Sequence, residues 1–215
     1  MEKIREPGSA ITHFIGMILS IIAATPLLMK ATHSGSHLTV IAMTIFIGSM
    51  ILLYAASTTY HSVILSAAKT KVFRKIDHMM IFILIAGSYT PICLLVLNEK
   101  LGHFILALVW SIAIVGIIIK AFWITCPKWF SSVLYIGMGW TCLLAFPQII
   151  ASLPVSAFIW LLAGGIIYTI GGVIYALKLP IFNMKHKNFG SHEIFHLFVM
   201  GGSICHFIFM YQFLA

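Results

Sequence analysis

Charged residues are scarce in this chain. Asp, Glu, Lys and Arg make up only 8% of its 215 residues, whereas 61% of them are hydrophobic. An ordinary soluble domain has roughly a quarter of its residues charged, and a soluble fold of this size could not bury so much apolar surface. The composition therefore excludes a soluble globular protein and predicts an integral membrane protein.

Acidic residues are especially few. Five Asp and Glu stand against 13 Lys and Arg, which gives a net charge of +8. In a soluble protein this excess would indicate nucleic-acid binding. Here the basic residues lie almost entirely between apolar runs, where they indicate membrane topology. We therefore expect no nucleic-acid partner, and membrane lipids as the molecules that the chain contacts.

Paired cysteines are also lacking. The four cysteines stand alone in or beside apolar runs, with no CxxC spacing: Cys93, Cys126, Cys142 and Cys205. This pattern argues against a thiolate metal site or a redox motif and predicts small apolar packing residues. The first apolar run is not followed by a small-residue cleavage pattern, so we interpret it as a retained helix rather than a signal peptide.

Seven long apolar runs are present, each near the roughly 20 residues that span the hydrocarbon core as a helix. They are approximately Ile11 to Met29, Leu38 to Leu65, Ile76 to Leu97, Phe104 to Phe122, Val133 to Ile150, Ala157 to Leu177 and Ile194 to Leu214. Between them lie His33 to His37, Lys69 to Lys75, Asn98 to Gly102, Thr125 to Lys128, Ser152 to Pro154 and Pro180 to Ser191. Such short breaks make sequential helices neighbours. The sequence predicts an all-α integral membrane protein, with residues 1–215 forming a single domain of seven transmembrane helices.

The basic residues predict the orientation, because cytoplasmic loops are enriched in Lys and Arg. If the N-terminus is cytoplasmic, eleven basic residues lie on inner segments and only Lys30 and Lys100 on outer ones. The inner set is Lys3, Arg5, Lys69, Lys71, Arg74, Lys75, Lys120, Lys128, Lys178, Lys185 and Lys187. We predict a cytoplasmic N-terminus and a C-terminus outside the cell.

Ionisable side chains within the spans are few, and each is costly in hydrocarbon, which makes each a candidate for function. They are His61, Asp77, His78, His192, Glu193, His196 and His206. At about 1.5 Å of rise per residue, four of them lie within one or two turns of the predicted cytoplasmic face: His61, Asp77, His192 and His196. His206 lies roughly four turns from His192 toward the other face, too far to join them.

Three of these histidines predict a metal site. His192 and His196 are four residues apart and share one helix face. With His61 at matched depth, they supply three imidazoles, the donor set of a catalytic zinc site that keeps an open position. Asp77 would orient a water or accept its proton, and Ser57, one turn before His61, would hydrogen-bond that water or a substrate carbonyl.

Several roles stay open at this stage. The segment His192-Glu193-Ile194-Phe195-His196 matches HExxH, in which the glutamate is the general base of a metalloprotease. Asp77 offers a second carboxylate for the same role. Glu6 either caps the first helix or reaches the histidine cluster, and His13 can also reach it.

Together these residues resemble the hemolysin III family of bacteria, which is grouped with the progestin and adipoQ receptors. The likeness covers nearly the whole chain and rests on Glu6 with Thr12-His13, Ser57-Thr58-Thr59-Tyr60-His61, Asp77-His78 and Ser191-His192-Glu193-Ile194-Phe195-His196. It implies seven helices with the N-terminus inside, and Zn²⁺ held by His61, His192 and His196, with Asp77 and Ser57 at its open side. The resemblance also implies hydrolysis of ceramide-like lipids and a bacterial inner (plasma) membrane. The chain departs from the expected pattern at Ser9, where asparagine is expected, and at Glu193, where the residue of the receptor branch is often not acidic.

Three hypotheses for function follow. The first is a zinc-dependent hydrolase of amide or ester bonds in membrane lipids, with a role in membrane homeostasis. The second is a non-enzymatic sensor of membrane state with structural zinc, which a closed site with four ligands would support. The third is a pore-forming cytolysin, which needs a polar stripe along several spans, whereas the outer halves of these spans are almost wholly apolar.

Overall fold

The computed structural model describes residues 4–177 and 189–215, and in these ranges the chain is helical without strands. Within them, seven segments are long and apolar enough to cross a membrane, so the predicted all-α fold with seven spans is confirmed. The helices are α1 (Pro7–His33), α2 (His37–Ser62), α3 (Ala67–Leu95), α4 (Glu99–Phe122), α5 (Lys128–Gly139), α6 (Phe146–Ser152), α7 (Val155–Leu177) and α8 (Ser191–Phe209). The fifth span consists of α5, a short 3₁₀ segment and α6.

The helices pack as a closed ring. Each of α1 to α4 packs on its successor, α5 packs on α7, and α8 packs on both α7 and α1. Fully buried aromatic side chains fill the interior, among them Phe46, Phe82 and Phe209. Since successive spans alternate in direction, α1, α3, α5 and α8 begin at the end of the bundle where α2, α4 and α7 finish. We call this end the site end.

Several helices begin earlier than the hydropathy runs predicted. Helix α3 begins at Ala67, so the predicted break Lys69 to Lys75 is helical, and α4 begins at Glu99, inside the predicted break Asn98 to Gly102. Hydropathy falls where polar side chains appear, but the backbone continues its helix beyond the apolar core. Most of the predicted break Pro180 to Ser191 lies outside the described residues, as do Lys3, Lys178, Lys185, His186 and Lys187.

The fifth span is interrupted, which the sequence analysis did not predict. Trp140–Ala145 form a 3₁₀ helix between α5 and α6, and α6 has a proline in its first turn. The Tyr89 hydroxyl of α3 donates to the Gly139 carbonyl at 2.5 Å and accepts from the Cys142 N–H at 2.8 Å. Because backbone groups in hydrocarbon need protein partners, this one side chain satisfies two groups at the interruption.

Lys120, which the charge count assigns to the inner segments and the hydropathy places within the fourth apolar run, is buried. It stands in the last turn of α4, only 1% exposed. Its ammonium donates to the Ser131 hydroxyl at 2.5 Å and to the Cys126 sulfur at 3.1 Å. Cys126 therefore has polar partners, unlike the apolar packing residue that the sequence analysis expected.

Candidate metal centre

Helices α2 and α8 bring the three predicted ligands together at the site end. His61 is in the last turn of α2, whereas His192 and His196 are on the first two turns of α8. Each histidine offers one ring nitrogen, and the three nitrogens lie within 4.8 Å of one another. His61 is 1% exposed and His196 2%, so two imidazoles are removed from solvent.

The spacing of the imidazoles fits a shared ion. The Nε2 atoms of His61 and His192 are 3.3 Å apart. Zinc binds imidazole nitrogen at about 2.0 to 2.1 Å in tetrahedral sites, which separates two ligand nitrogens by about 3.3 to 3.4 Å. Three neutral imidazoles are also a donor set that zinc prefers. The residues present therefore fit a zinc ion in both chemistry and spacing.

Two residues from the N-terminal part of the chain contact the Nδ1 atoms of two of these rings. The Glu6 carboxylate accepts a hydrogen bond from Nδ1 of His61, and the Thr12 hydroxyl oxygen lies 3.1 Å from Nδ1 of His196. Glu6 immediately precedes α1, but its side chain makes no capping hydrogen bond. Of its two predicted roles, it therefore takes the contact with the histidine cluster and not the cap of the first helix. The hydrogen bond from His61, assisted by the nearby Arg5, holds the pKa of the Glu6 carboxyl below its ordinary value against the opposing effect of burial.

The Glu193 side chain forms hydrogen bonds that cap α8 and connect it to α1. One carboxylate oxygen accepts the Ser9 hydroxyl at 2.5 Å, and the other accepts the Gly190 N–H at 2.8 Å before the start of α8. Its carboxylate is thus engaged in capping α8 and joining it to α1, so the metalloprotease interpretation of HExxH does not fit. Ser9 and Glu193, the two departures from the expected pattern, contact each other.

Three further polar residues face the same space as the imidazoles. Asp77, 8% exposed, and Ser57, 1% exposed, line one cavity together with His13, His192 and His196. Among the described residues, the Ser57 hydroxyl and both ring nitrogens of His13 have no hydrogen-bond partner. The His13 ring stacks on that of His196 with centroids 3.5 Å apart. Asp77 lies 3.4 Å from Nδ1 of its neighbour His78 and is not one of the three grouped ligands.

The cavity extends from these polar groups far into the bundle. Its walls are mostly apolar and reach Ile92, Leu97 and Ile105 at the opposite end. Along α3, the distance from Asp77 to Ile92 is about 22 Å at the rise of an α-helix. His206 lines the cavity beyond the histidine cluster, and its Nε2 lies 3.3 Å from the Leu161 carbonyl of α7. The sequence analysis did not predict this cavity.

Thr12 was singled out from the sequence only as part of the family pattern, and its contact with His196 was not predicted. A usable signal was present on α1, because Ser9, His13, Gly16 and Ser20 recur at helical spacing, and all four are buried. Polar and small residues that repeat in this way mark the face of a membrane helix that is turned toward its neighbours. Thr12 lies beside this face, one turn after Ser9.

The chain is similar to known proteins over almost its whole length. A family model described as "Haemolysin-III related" matches residues 1–207, a range that contains all of the residues above. "Hemolysin-3" of Bacillus cereus is 41% identical over 199 residues, which cover 92% of this chain and 86% of that protein. "Hemolysin-3 homolog" of Bacillus subtilis (strain 168) is 40% identical over 203 residues, which cover 94% and 91% respectively.

Proposed function

This chain is a multi-pass membrane protein of the haemolysin-III related family, and from that premise we propose that it is a zinc-dependent hydrolase of an amide or ester bond in a membrane lipid. One observation carries the proposal. Three histidines have the spacing of metal ligands, two of them, His192 and His196, line a long apolar cavity, and unpartnered polar groups lie at the same end. An apolar cavity suits the chains of a lipid, and polar groups at one end suit its scissile bond.

Each of these residues has a separate role in such a reaction. His61, His192 and His196 would hold the zinc ion, which when bound would supply Lewis acidity toward a carbonyl oxygen and would activate water as a nucleophile. Asp77 orients the attacking water and accepts its proton, since this carboxylate lies on the cavity wall beside the ligands. Ser57 donates its free hydroxyl to the substrate carbonyl. The carbonyl carbon gains the water oxygen, the bond to nitrogen or oxygen breaks, and the leaving group takes up the proton.

The predicted orientation places this chemistry near the inner headgroup level of a bacterial inner membrane. The carbonyl of an acyl lipid lies at that level, whereas its chains extend into the hydrocarbon. The apolar cavity walls continue in the same direction. Ceramide-like amides are the substrates that the family resemblance favours, and phospholipid esters are the alternative class.

A sensor with structural zinc is the second candidate, and it calls for a closed site of four ligands. The group of ligand atoms found in the described residues contains three histidines. Ser57 and His13 keep unpartnered polar atoms on the cavity beside them, which favours an open position. Because the similar proteins are named hemolysins, the experiments below also measure membrane lysis.

The test begins with metal content and lipid cleavage of the purified full chain in detergent. We expect about one zinc ion per chain, retained in Asp77→Asn and lost in His61→Ala and in the double variant His192→Ala/His196→Ala. Intact protein incubated with a ceramide or with a diacyl phosphatidylcholine should release free fatty acid, and Asp77→Asn should not.

The outcomes separate the candidates. Absence of zinc from the intact chain overturns the metal centre. Zinc without fatty-acid release from either lipid overturns the hydrolase and favours the sensor. Dye release from vesicles that persists in Asp77→Asn and in the histidine variants would favour lysis by a route independent of this site.

A further inference from the structure

The segment from Arg5 to Thr12 contacts both helices that carry the candidate ligands. Backbone N–H groups of Arg5 and Glu6 donate to the Ser62 and His61 carbonyls at the end of α2, at 3.4 and 3.0 Å. The Arg5 guanidinium lies 3.9 Å from the centroid of the Tyr60 ring. Ser9 reaches α8 through Glu193. The segment therefore holds the end of α2 and the start of α8 in one arrangement.

The contact of Glu6 fixes the form of the His61 ring. An ionised carboxylate can only accept hydrogen bonds, so Nδ1 of His61 must be the donor. In a neutral imidazole the other nitrogen, Nε2, then carries the free electron pair. That nitrogen is the one that faces Nε2 of His192 at 3.3 Å.

The same reasoning applies to Thr12 and His196. The single hydroxyl hydrogen of Thr12 is donated to backbone carbonyls of its own helix, Ser9 at 2.9 Å and Gly8 at 3.0 Å. Its oxygen is therefore left to accept from Nδ1 of His196 at 3.1 Å. Nε2 of His196 then carries the free electron pair. Two independent contacts thus select the same ring form in two ligands.

We propose that Glu6 and Thr12 are positioning residues, which hold His61 and His196 in the Nδ1–H form with Nε2 directed at a shared metal ion. The inference rests on the metal centre of the proposed function and adds to it the groups that orient the ligands. Partners of this kind fix the orientation of ligand histidines and make them better donors. A lone pair on Nε2 of each ring is then available before any ion arrives, which reduces the reorganisation that binding requires.

Zinc affinity of the full chain tests the proposal, measured by competition with a chelator in detergent. Glu6→Ala and Thr12→Val should each weaken zinc binding roughly 10- to 100-fold, the range found when such partners are removed. Thr12→Ser keeps the hydroxyl and should restore the affinity. Glu99→Ala and Thr32→Val are the matched controls, since both residues lie at the opposite end of the bundle, and their affinity should equal that of the intact chain. Cobalt-substituted protein gives a second readout, because its visible spectrum should shift in Glu6→Ala and not in Glu99→Ala.

Nitrogen NMR of the metal-free protein separates this inference from the proposed function. The ¹⁵N shifts of ¹⁵N-histidine-labelled chain distinguish the two ring forms whether or not an ion binds. We expect Nδ1–H for His61 and His196, with loss of that preference for His61 in Glu6→Ala. Unchanged zinc affinity in both variants, or Nε2–H forms in the intact chain, would overturn the positioning role. If the intact chain shows the Nδ1–H forms but binds no zinc, the metal site is overturned. The claim that Glu6 and Thr12 orient these rings for a metal ion is then overturned as well.

Discussion

Buried hydroxyl groups in this protein fall into two kinds that the residue type does not distinguish. Ser203 is 3% exposed, and its hydroxyl lies 2.8 Å from both the Tyr54 and the Tyr168 hydroxyls, which joins α2, α7 and α8. Ser57 is 1% exposed and has no partner among the described residues. Burial of an unpaired polar group costs stability, whereas a paired one contributes to it. One serine therefore stabilises the bundle, and the other is available to a ligand.

The same substitution should consequently have different effects at these two positions. Ser203→Ala should lower the free energy of unfolding by about 1 to 3 kcal/mol, because two buried tyrosine hydroxyls lose a partner. Ser57→Ala should leave stability unchanged or slightly higher, and it should reduce lipid cleavage if the proposed function holds. Thermal unfolding of the detergent-purified variants, measured side by side, gives the comparison. Equal losses in both would contradict the distinction.

At the scale of the helices, the interruption of the fifth span depends on a side chain from another helix. The Tyr89 hydroxyl of α3 donates to the Gly139 carbonyl and accepts from the Cys142 N–H. A helix that changes type within a membrane leaves backbone groups to be satisfied by neighbours. The two spans are therefore coupled through one hydroxyl.

Removal of that hydroxyl should destabilise the fifth span. Tyr89→Phe keeps the ring but removes the hydroxyl from the Gly139 carbonyl and the Cys142 N–H, and the loss of two hydrogen bonds should cost about 1 to 3 kcal/mol of unfolding free energy. Tyr211→Phe is the control, since it keeps the ring that lies near the Lys30 ammonium. Hydrogen exchange should show faster exchange of the Cys142 amide in Tyr89→Phe. Protection equal to that of the intact chain would show that another group replaces the hydroxyl.

The shared depth of the histidines was predictable from the sequence because it depends on element order. Seven spans joined by short connections put the end of α2 and the beginning of α8 at the same end of the bundle, whereas their approach across the ring depends on packing. The contacts of Glu6 were not predictable, since a carboxylate before a helix can turn either to the helix or away from it. Tyr89 looked like any other residue within an apolar run. Lys120 was counted as one more basic residue of the inner side, and only the packing of α4 against α5 shows that it is buried.

At the scale of the whole molecule, the odd number of spans found in the described residues predicts that the two termini lie on opposite sides of the membrane. The site end carries the basic residues Arg5, Lys69, Lys71, Arg74 and Lys75 on or beside its helices. Such a cluster indicates the cytoplasmic side. The positions of the basic residues therefore predict that the candidate centre faces the inside of the cell.

Reporter fusions after Ala215 check this orientation. Alkaline phosphatase, which is active only after export, should be active when fused to the C-terminus. Green fluorescent protein fused there should stay dark, because it is then exported by the general secretory route. The charge distribution is the physical reason, because Lys and Arg are retained on the cytoplasmic side. A fluorescent, phosphatase-inactive pair of fusions would place the histidine cluster outside, and with it the site of lipid cleavage in the other leaflet.

The 3₁₀ segment in the fifth span changes the direction in which α6 faces. A 3₁₀ helix advances about 120° per residue instead of the 100° of an α-helix, so its six residues add a rotation of about 120°. Ile149, 2% exposed, lines the far part of the cavity, whereas its neighbour Ile150 is 50% exposed. An unbroken α-helix would carry Ile149 a third of a turn away from that wall. The change of winding thus sets which side chain closes the cavity and which one meets the lipid.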